Sequence, residues 1–185
     1  DTRLLVSRDG IKWQAPGDRQ PFLRPGPDGG NRCGMIFANP WLIPVGDELW
    51  LYYAGRGETH GIDSSAPPRS GLFRASLRRD GFVSLDAGFG GGRFCTPPVV
   101  FAGDRLELNC DGSAGGWLQV ALLDETGKAL PGYDFADADP VMGNGLAKVV
   151  TWRGQSGVGH LAGRPVRLSW RLRAMKLYAL QFRGG

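Results

Sequence analysis

The residue types best suited to chemistry lie together in one polar loop: Glu58, His60 and Asp63 all fall within the stretch 55–70. Glycoside hydrolysis needs two carboxyl groups, about 5–5.5 Å apart for retention of configuration or about 6.5–9.5 Å apart for inversion. A histidine between such groups can donate a hydrogen bond or exchange a proton near neutral pH. Surface loops also carry these residue types without any chemical role, and that alternative stays open.

Metal and cofactor sites have little support in the sequence. The two histidines, His60 and His160, are isolated, and no Cys-x-x-Cys pair accompanies them, so zinc-ligand spacing is missing. The glycine-rich run 88–92 lacks the Lys-Ser/Thr of a phosphate-binding loop. We therefore predict no metal and no cofactor. Three aspartates could ligate calcium through oxygen, but their spacing fits no EF-hand: Asp134, Asp137 and Asp139.

The cysteines do not form a complete disulfide framework. There are three of them, Cys33, Cys95 and Cys110, and an odd number leaves at least one thiol free. Buried thiols are the favoured interpretation. A bridge between Cys95 and Cys110 stays open, because the two residues flank neighbouring β segments.

Composition points to a β protein rich in turns. Glycine contributes 30 residues and proline 13, so the two make up about 23% of the 185 residues, against a usual share of about 12%. Neither residue suits the interior of a helix. Because 42% of the residues are hydrophobic and the net charge is only +4, the composition excludes disorder. No apolar stretch reaches the about 18 residues that a membrane span needs.

The basic residues exceed the acidic ones by little, 22 against 18. Nucleic-acid binding would need these charges clustered on one face. We predict that the densest cluster is largely the solvated outer face of a strand, and we expect neither a nucleic-acid nor a membrane partner. The cluster comprises Arg164, Arg167, Arg171, Arg173, Lys176 and Arg183.

The first 80 residues predict strands joined by turns. Asp9-Gly10 lies between two apolar runs, which favours a β-hairpin. Residues 15–34 are predicted as a loop, because prolines and glycines concentrate there. Strands are expected over 35–45, 48–53 and 72–77.

From residue 82 onward, short apolar segments recur at regular intervals, which favours an antiparallel β-sandwich. Val166, Leu168, Trp170 and Leu172 alternate with polar residues and so share one face, which makes Trp170 a predicted core residue. Arg173-Ala174-Met175 is expected to form the turn of a last hairpin. The predicted strands cover 82–86, 93–101, 105–110, 117–123, 146–152, 165–172 and 176–182.

Several motifs of the first part resemble β-propeller blades. The run Ser7-Arg8-Asp9-Gly10-Ile11-Lys12-Trp13 is similar to the Asp-box turn, S-x-D-G-x-x-W, in which the Asp organises the turn and the Trp packs between blades. Residues 35–45 and 46–55 resemble the two inner strands of a blade, and residues 70–82 resemble its outer strand. Residues 164–182 are similar to the terminal hairpin of the β-sandwich that follows the propeller in proteins related to glycoside hydrolase families 32 and 43.

The resemblance implies an all-β chain in two parts: the last one to two blades of a propeller over 1–80, and an antiparallel β-sandwich over 81–185. Family-32/43 enzymes carry their catalytic carboxylates on the first three blades. Those carboxylates would therefore lie upstream of Asp1, and no catalytic residue is assigned here. Because the chain begins with Asp rather than Met, we expect a processed product or a piece of a longer protein.

Propeller geometry implies a substrate-binding set on one face of the blade. The loop around Arg32 and the loop around Glu58 and His60 would meet at the pocket mouth. Arg32 could there hold a carboxylate or sugar hydroxyls. The candidate substrate-binding residues are Arg32, Glu58, His60 and Asp63. The predicted function is that of a C-terminal, non-catalytic part of a glycosidase-like protein acting on carbohydrate.

Two alternatives remain open. The first is a carbohydrate-binding or scaffolding β-sandwich, with exposed aromatic residues as its sugar platforms. The second is a subunit whose propeller is completed by a partner chain, because an unfinished blade leaves open strand edges. The aromatic candidates for the first alternative are Trp117, Tyr133, Phe135 and Trp152.

Overall fold

The computed structural model describes residues 1–61 and 69–184, so Asp63 lies outside the described residues. Strands account for 52% of the chain and helices for 3%, which confirms the all-β class. The chain divides into two compact units, Asp1–Arg79 and Asp80–Gly185, and each is described by itself.

The first unit consists of two antiparallel sheets. A short pair joins β1 (Thr2–Arg3) and β2 (Pro21–Leu23). The main sheet is a three-stranded meander in the order β3 (Met35–Val45), β4 (Glu48–Arg56) and β5 (Ser70–Arg78). A single turn with positive φ at all three residues, Gly17–Arg19, lies between β1 and β2.

The turn at Asp9 has the hydrogen bonds that its motif predicts. The carboxylate oxygen Oδ1 of Asp9 accepts from the backbone amides of Ile11 (2.8 Å) and Lys12 (2.7 Å). Val6 and Gln14 close the turn with two backbone hydrogen bonds of 2.8 and 2.9 Å. The predicted hairpin is thus present as a tight turn with a single bridge. Trp13, which the resemblance would pack between blades, is 59% exposed.

The first unit has little core of its own. Among its described residues only Ile36, Leu51 and Tyr53 are buried large hydrophobics. A sheet this small needs a covering layer to be stable in water. Ten of its large apolar side chains are instead exposed: Leu5, Val6, Ile11, Trp13, Phe37, Trp41, Leu42, Ile43, Val45 and Leu72.

The second unit is built on one curled, antiparallel sheet that forms half a barrel. Two long strands dominate it, β8 (Arg105–Leu123) and β11 (Arg167–Arg183), which pair along nearly their whole length. The sheet order is β10-β8-β11-β6, with β7 also pairing with β11 and β9 with β8. The shorter strands are β6 (Leu85–Ala87), β7 (Gly92–Cys95), β9 (Val141–Met142) and β10 (Asn144–Val149), and a 3-10 turn covers Gly159–Leu161.

The predicted turn at Arg173-Ala174-Met175 is wrong, because β11 continues through it. Ala174 adopts φ = 46° and lies opposite four residues of β8, 113–116, so the additional residues of this bulge belong to β8. Additional residues on one strand bend the pair without ending it. The segments predicted as separate strands on either side are therefore the two halves of β8 and of β11.

The core of the second unit follows the predicted alternation. Val166, Leu168, Trp170 and Leu172 are each at most 4% exposed, which confirms both the shared face and the core position of Trp170. Both halves of β8 contribute to the same cluster, from Leu106 to Leu122. A straight strand of that length would span about 50 Å. The curl brings its two ends around a common interior.

The structure contains no Cys95–Cys110 bridge. None of the three cysteines forms a disulfide: Cys95 is exposed, Cys110 is buried and Cys33 is half-buried. Cys95 pairs with Ser169 and Cys110 with Leu177, at different levels of β11. Eight residues of strand correspond to about 26 Å, whereas a disulfide needs Cα atoms within about 7 Å.

Candidate functional site

Three chain segments meet at one end of the main sheet of the first unit. Met35 at the start of β3 pairs with Arg56 at the end of β4, and Arg56 pairs with Ser70 at the start of β5. The residues before β3 and after β4 therefore emerge at the same edge. Two of the predicted loops, those around Arg32 and around Glu58 and His60, lie at this end.

Close backbone contact holds the two loops together. The amide of Gly34 donates to the carbonyl of Arg56 (2.9 Å), and the Cys33 thiol donates to the carbonyl of Gly57 (3.3 Å). A Cβ atom at position 34 would lie 2.2 Å from the carbonyl oxygen of Glu58. Only glycine fits there, so the short distance between the loops depends on this residue.

Arg32 lies against the aromatic ring of Phe73. Its guanidinium carbon is 5.7 Å from the ring centroid, and its side chain occupies the space that a Cβ on Gly55 would need. Such a cation–π contact orients the guanidinium without using all of its N–H donors. Within residues 1–61 and 69–184 Arg32 forms no ion pair, so these donors remain for a ligand's oxygen atoms.

Glu58 is a hydrogen-bond acceptor at this end of the sheet. Its Oε1 accepts from the backbone amide of Arg69 (3.1 Å) and lies 3.7 Å from the Arg69 Nε. The amide of Arg69 holds the pKa of the Glu58 carboxyl below its usual range. A general acid in glycoside hydrolysis needs a raised pKa instead. Glu58 is therefore suited to accept hydrogen bonds and not to donate a proton.

The second oxygen of Glu58 is buried, and no donor from the described residues reaches Oε2. The side chain as a whole is 18% exposed. A buried carboxylate oxygen without a donor is costly.

His60 is exposed and contacts Phe37 edge to face, with ring centroids 6.5 Å apart and an interplanar angle of 77°. Phe37 is itself 50% exposed. The pair presents an apolar ring beside an imidazole that can form hydrogen bonds.

Sequence reasoning missed the residues that support this end of the sheet, namely Arg69, Phe73 and Phe37. The signal in the sequence that could have identified them was the spacing of the glycines. Gly55 and Gly71 both lie against the Phe73 ring, and Gly57 lies against the Arg69 side chain. Glycines facing large side chains across a sheet indicate where those side chains cross it.

The aromatic candidates of the second unit are mostly engaged in packing. Trp152 is 3% exposed and donates from its indole N–H to the carbonyl of Val120 (2.8 Å). Tyr133 donates to the carbonyl of Gly157 (2.6 Å) and packs on Trp152. Phe135 lies under the guanidinium of Arg171, 3.9 Å from its ring centroid to Cζ. Trp117 is half-buried within β8 and does not begin it.

The acidic trio of the second unit forms local contacts. Asp134 accepts from the amide of Phe135, and Asp137 pairs with Arg153. Asp139 accepts from the Thr151 hydroxyl (2.6 Å) and the Gly154 amide (2.7 Å), and these bonds lower its pKa. In the part of the chain that the structure describes, no three His, Cys, Asp or Glu side chains are grouped to hold a metal ion.

Over the same residues, no helix has the length and apolar character to cross a membrane. No protein-family model, curated protein or solved structure matches the chain.

Proposed function

We propose that the chain is the C-terminal part of a glycosidase-like, carbohydrate-active protein and has no catalysis of its own. In this proposal the first unit is a terminal blade of a β-propeller, and the second is the β-sandwich that follows it. One observation carries the proposal: among its described residues the first unit buries only Ile36, Leu51 and Tyr53 as large hydrophobics, while its main sheet alone exposes Phe37, Trp41, Leu42, Ile43, Val45 and Leu72. A blade packed between neighbouring blades would cover that surface.

The bend of the second unit supports the sandwich. Leu106 and Leu108 belong to the same core as Leu118 and Val120, although β8 carries them on opposite sides of its looped-out residues. The two halves of the bent strand therefore enclose one interior, as the two facing layers of a sandwich do.

The end of the main sheet supports carbohydrate as the ligand. Arg32 supplies N–H donors, Glu58 a carboxylate acceptor, and His60 with Phe37 a polar and an apolar edge. Sugar hydroxyls both donate and accept, so this mixture suits them. The lowered pKa of Glu58 favours binding over acid catalysis.

Binding is tested by titrating the full chain with neutral tri- to hexasaccharides and following heat and tryptophan fluorescence. We expect Arg32→Ala and His60→Ala each to weaken binding about tenfold, since each removes a hydrogen bond to the ligand. The exposed Arg8→Ala serves as the matched control and should change nothing. A flat titration with every sugar would overturn carbohydrate binding by this chain.

The propeller assignment is tested separately by the reading frame upstream of Asp1. We expect further blade-like strands there, with two or three carboxylates on inner strands. An upstream frame without such strands would contradict the assignment.

A partner chain that completes the blade is the second candidate, favoured by the free edges of β3 and β5 in the described sheet. Exposed strand edges invite pairing. Sedimentation of the purified chain distinguishes the two, because a monomer at micromolar concentration counts against completion by a second copy.

A further inference from the structure

A basic cleft lies on the outer face of the second unit, away from its core. Pairing places Arg93 of β7 directly opposite Arg171 of β11, and Arg173 opposite Trp117 of β8. Paired residues of an antiparallel sheet share a face. The cleft between these side chains and the turn 90–92 has a volume of about 330 Å³.

The three arginines of this cleft lack counter-ions. Like charges directly opposite each other destabilise a sheet, yet none of Arg93, Arg171 and Arg173 forms an ion pair with residues 1–61 or 69–184. The Nε of Arg171 is also buried without an acceptor among them. A bound oxyanion would relieve the repulsion and accept charge-assisted hydrogen bonds from the outer N–H groups of the guanidiniums.

Aromatic contacts orient two of the guanidinium groups. Arg171 lies over the ring of Phe135, 3.9 Å from its centroid. Arg173 donates from Nε to the carbonyl of Phe89 (2.9 Å) and lies 5.9 Å from that ring's centroid. Stacked arginines keep their planar donor edges available and lose less side-chain freedom when they bind an anion.

The basic surface is short. A second cleft is lined by Phe89, Asp86 and Asp111, and Asp86 already pairs with Lys176 (3.5 Å). A nucleic-acid strand needs a continuous basic groove along its backbone. The charge pattern fits one or two anionic groups on a small ligand instead.

We propose that this cleft binds an anionic saccharide, an oligosaccharide that carries carboxylate or sulfate groups. Arg93, Arg171 and Arg173 hold the oxyanion, and the half-buried ring of Trp117 packs on the adjoining sugar. The saccharide part of this inference rests on the proposed function, whereas the oxyanion part rests on the arginines alone.

The test is calorimetric titration of the full chain with four probes: a sulfated hexasaccharide, a polyuronate hexasaccharide, a neutral hexasaccharide of the same length, and inorganic sulfate. Arg93→Ala and Arg171→Ala should each weaken binding of an anionic saccharide at least tenfold, because each removes a charge-assisted hydrogen bond. The exposed Arg164→Ala, outside the cleft, is the control and should leave binding unchanged. Trp117→Ala should weaken saccharide binding but not sulfate binding.

Several results would overturn the inference. Equal binding of neutral and anionic hexasaccharides, or wild-type binding by Arg93→Ala, would remove the oxyanion site. Inorganic sulfate binding as tightly as the saccharides, or a single-stranded oligonucleotide binding more tightly than either, would remove the saccharide. Failure of the proposed function is separate, because it is measured with neutral sugars and Arg32→Ala.

Discussion

Two buried tryptophans of the second unit allow one hydrogen bond to be weighed by itself. Trp152 is 3% exposed and Trp170 is 0% exposed, and each contacts one aromatic neighbour. The indole of Trp152 donates to the carbonyl of Val120 (2.8 Å), whereas the indole Nε1 of Trp170 is buried without an acceptor among the described residues. Replacing each by phenylalanine removes the same atoms from similar surroundings.

Among the described residues, Trp152 is the donor to the carbonyl of Val120 on that side of β8, where no strand pairs with Val120. Leu122, two residues along β8, directs its amide to Tyr133 and its carbonyl to Leu130. Residues two apart on a strand direct their backbone groups to the same side, so Val120 faces the same edge, where Trp152 meets it. Trp152→Phe therefore leaves a buried carbonyl without a donor. Trp170→Phe instead removes an unsatisfied donor.

We expect Trp152→Phe to lower the free energy of unfolding by about 1–3 kcal/mol more than Trp170→Phe. The lost ring volume and area are the same in both variants and cancel in the difference. Urea unfolding followed by near-ultraviolet circular dichroism measures both variants under one condition. Equal destabilisation, or a larger loss for Trp170→Phe, would refute the reasoning.

Two further perturbations address the first unit. Gly34→Ala places a Cβ 2.2 Å from the Glu58 carbonyl oxygen, and this overpacking should lower the free energy of unfolding by about 1–3 kcal/mol. The control is Gly88→Ala, whose Cβ enters open space. In the same urea titration, its free energy of unfolding should stay within about 0.5 kcal/mol of the wild type. The amides of Lys12 and Ile11 lower the pKa of Asp9, so the stability this adds to the turn is present above the unfolded-state pKa and is lost as pH falls through the folded one. The protection factors of the Ile11 and Lys12 amides, which compare their exchange with the intrinsic rate at the same pH, should therefore fall on acidification and be low throughout in Asp9→Ala; unchanged protection in that variant would contradict the role of Asp9.

Local patterns predicted what depends on neighbours in sequence. The Asp9 turn uses donors within three residues, and the buried face of Trp170 follows from simple alternation. The continuity of β11 does not follow from such patterns. A positive φ at Ala174 is unusual for a residue with a side chain, and only pairing with β8 along both halves makes a bulge more stable than a turn.

The candidate site depends on contacts that span longer intervals. The glycine at position 34 has no local reason in the sequence, and its role appears only when β3 and β4 pair and bring the backbone of Glu58 against it. Arg69 likewise becomes the partner of Glu58 across the loop between β4 and β5. The residue types of the loop were enough to propose hydrogen bonding there. The lowered pKa of Glu58 depends on the amide of Arg69 that donates to it, and the sequence does not reveal that contact.

The basic residues of β11 show the same dependence. Alternation places Arg171 and Arg173 on the outer face, where solvent alone would explain them. The register of the sheet adds Arg93 from one neighbouring strand and Trp117 from the other, and places Phe89 and Phe135 against the guanidinium groups. The arginine charges are thereby concentrated around one cleft, and no acidic side chain of the described residues pairs with them. It is this lateral pairing, and not the basic composition, that distinguishes a binding surface from a solvated strand.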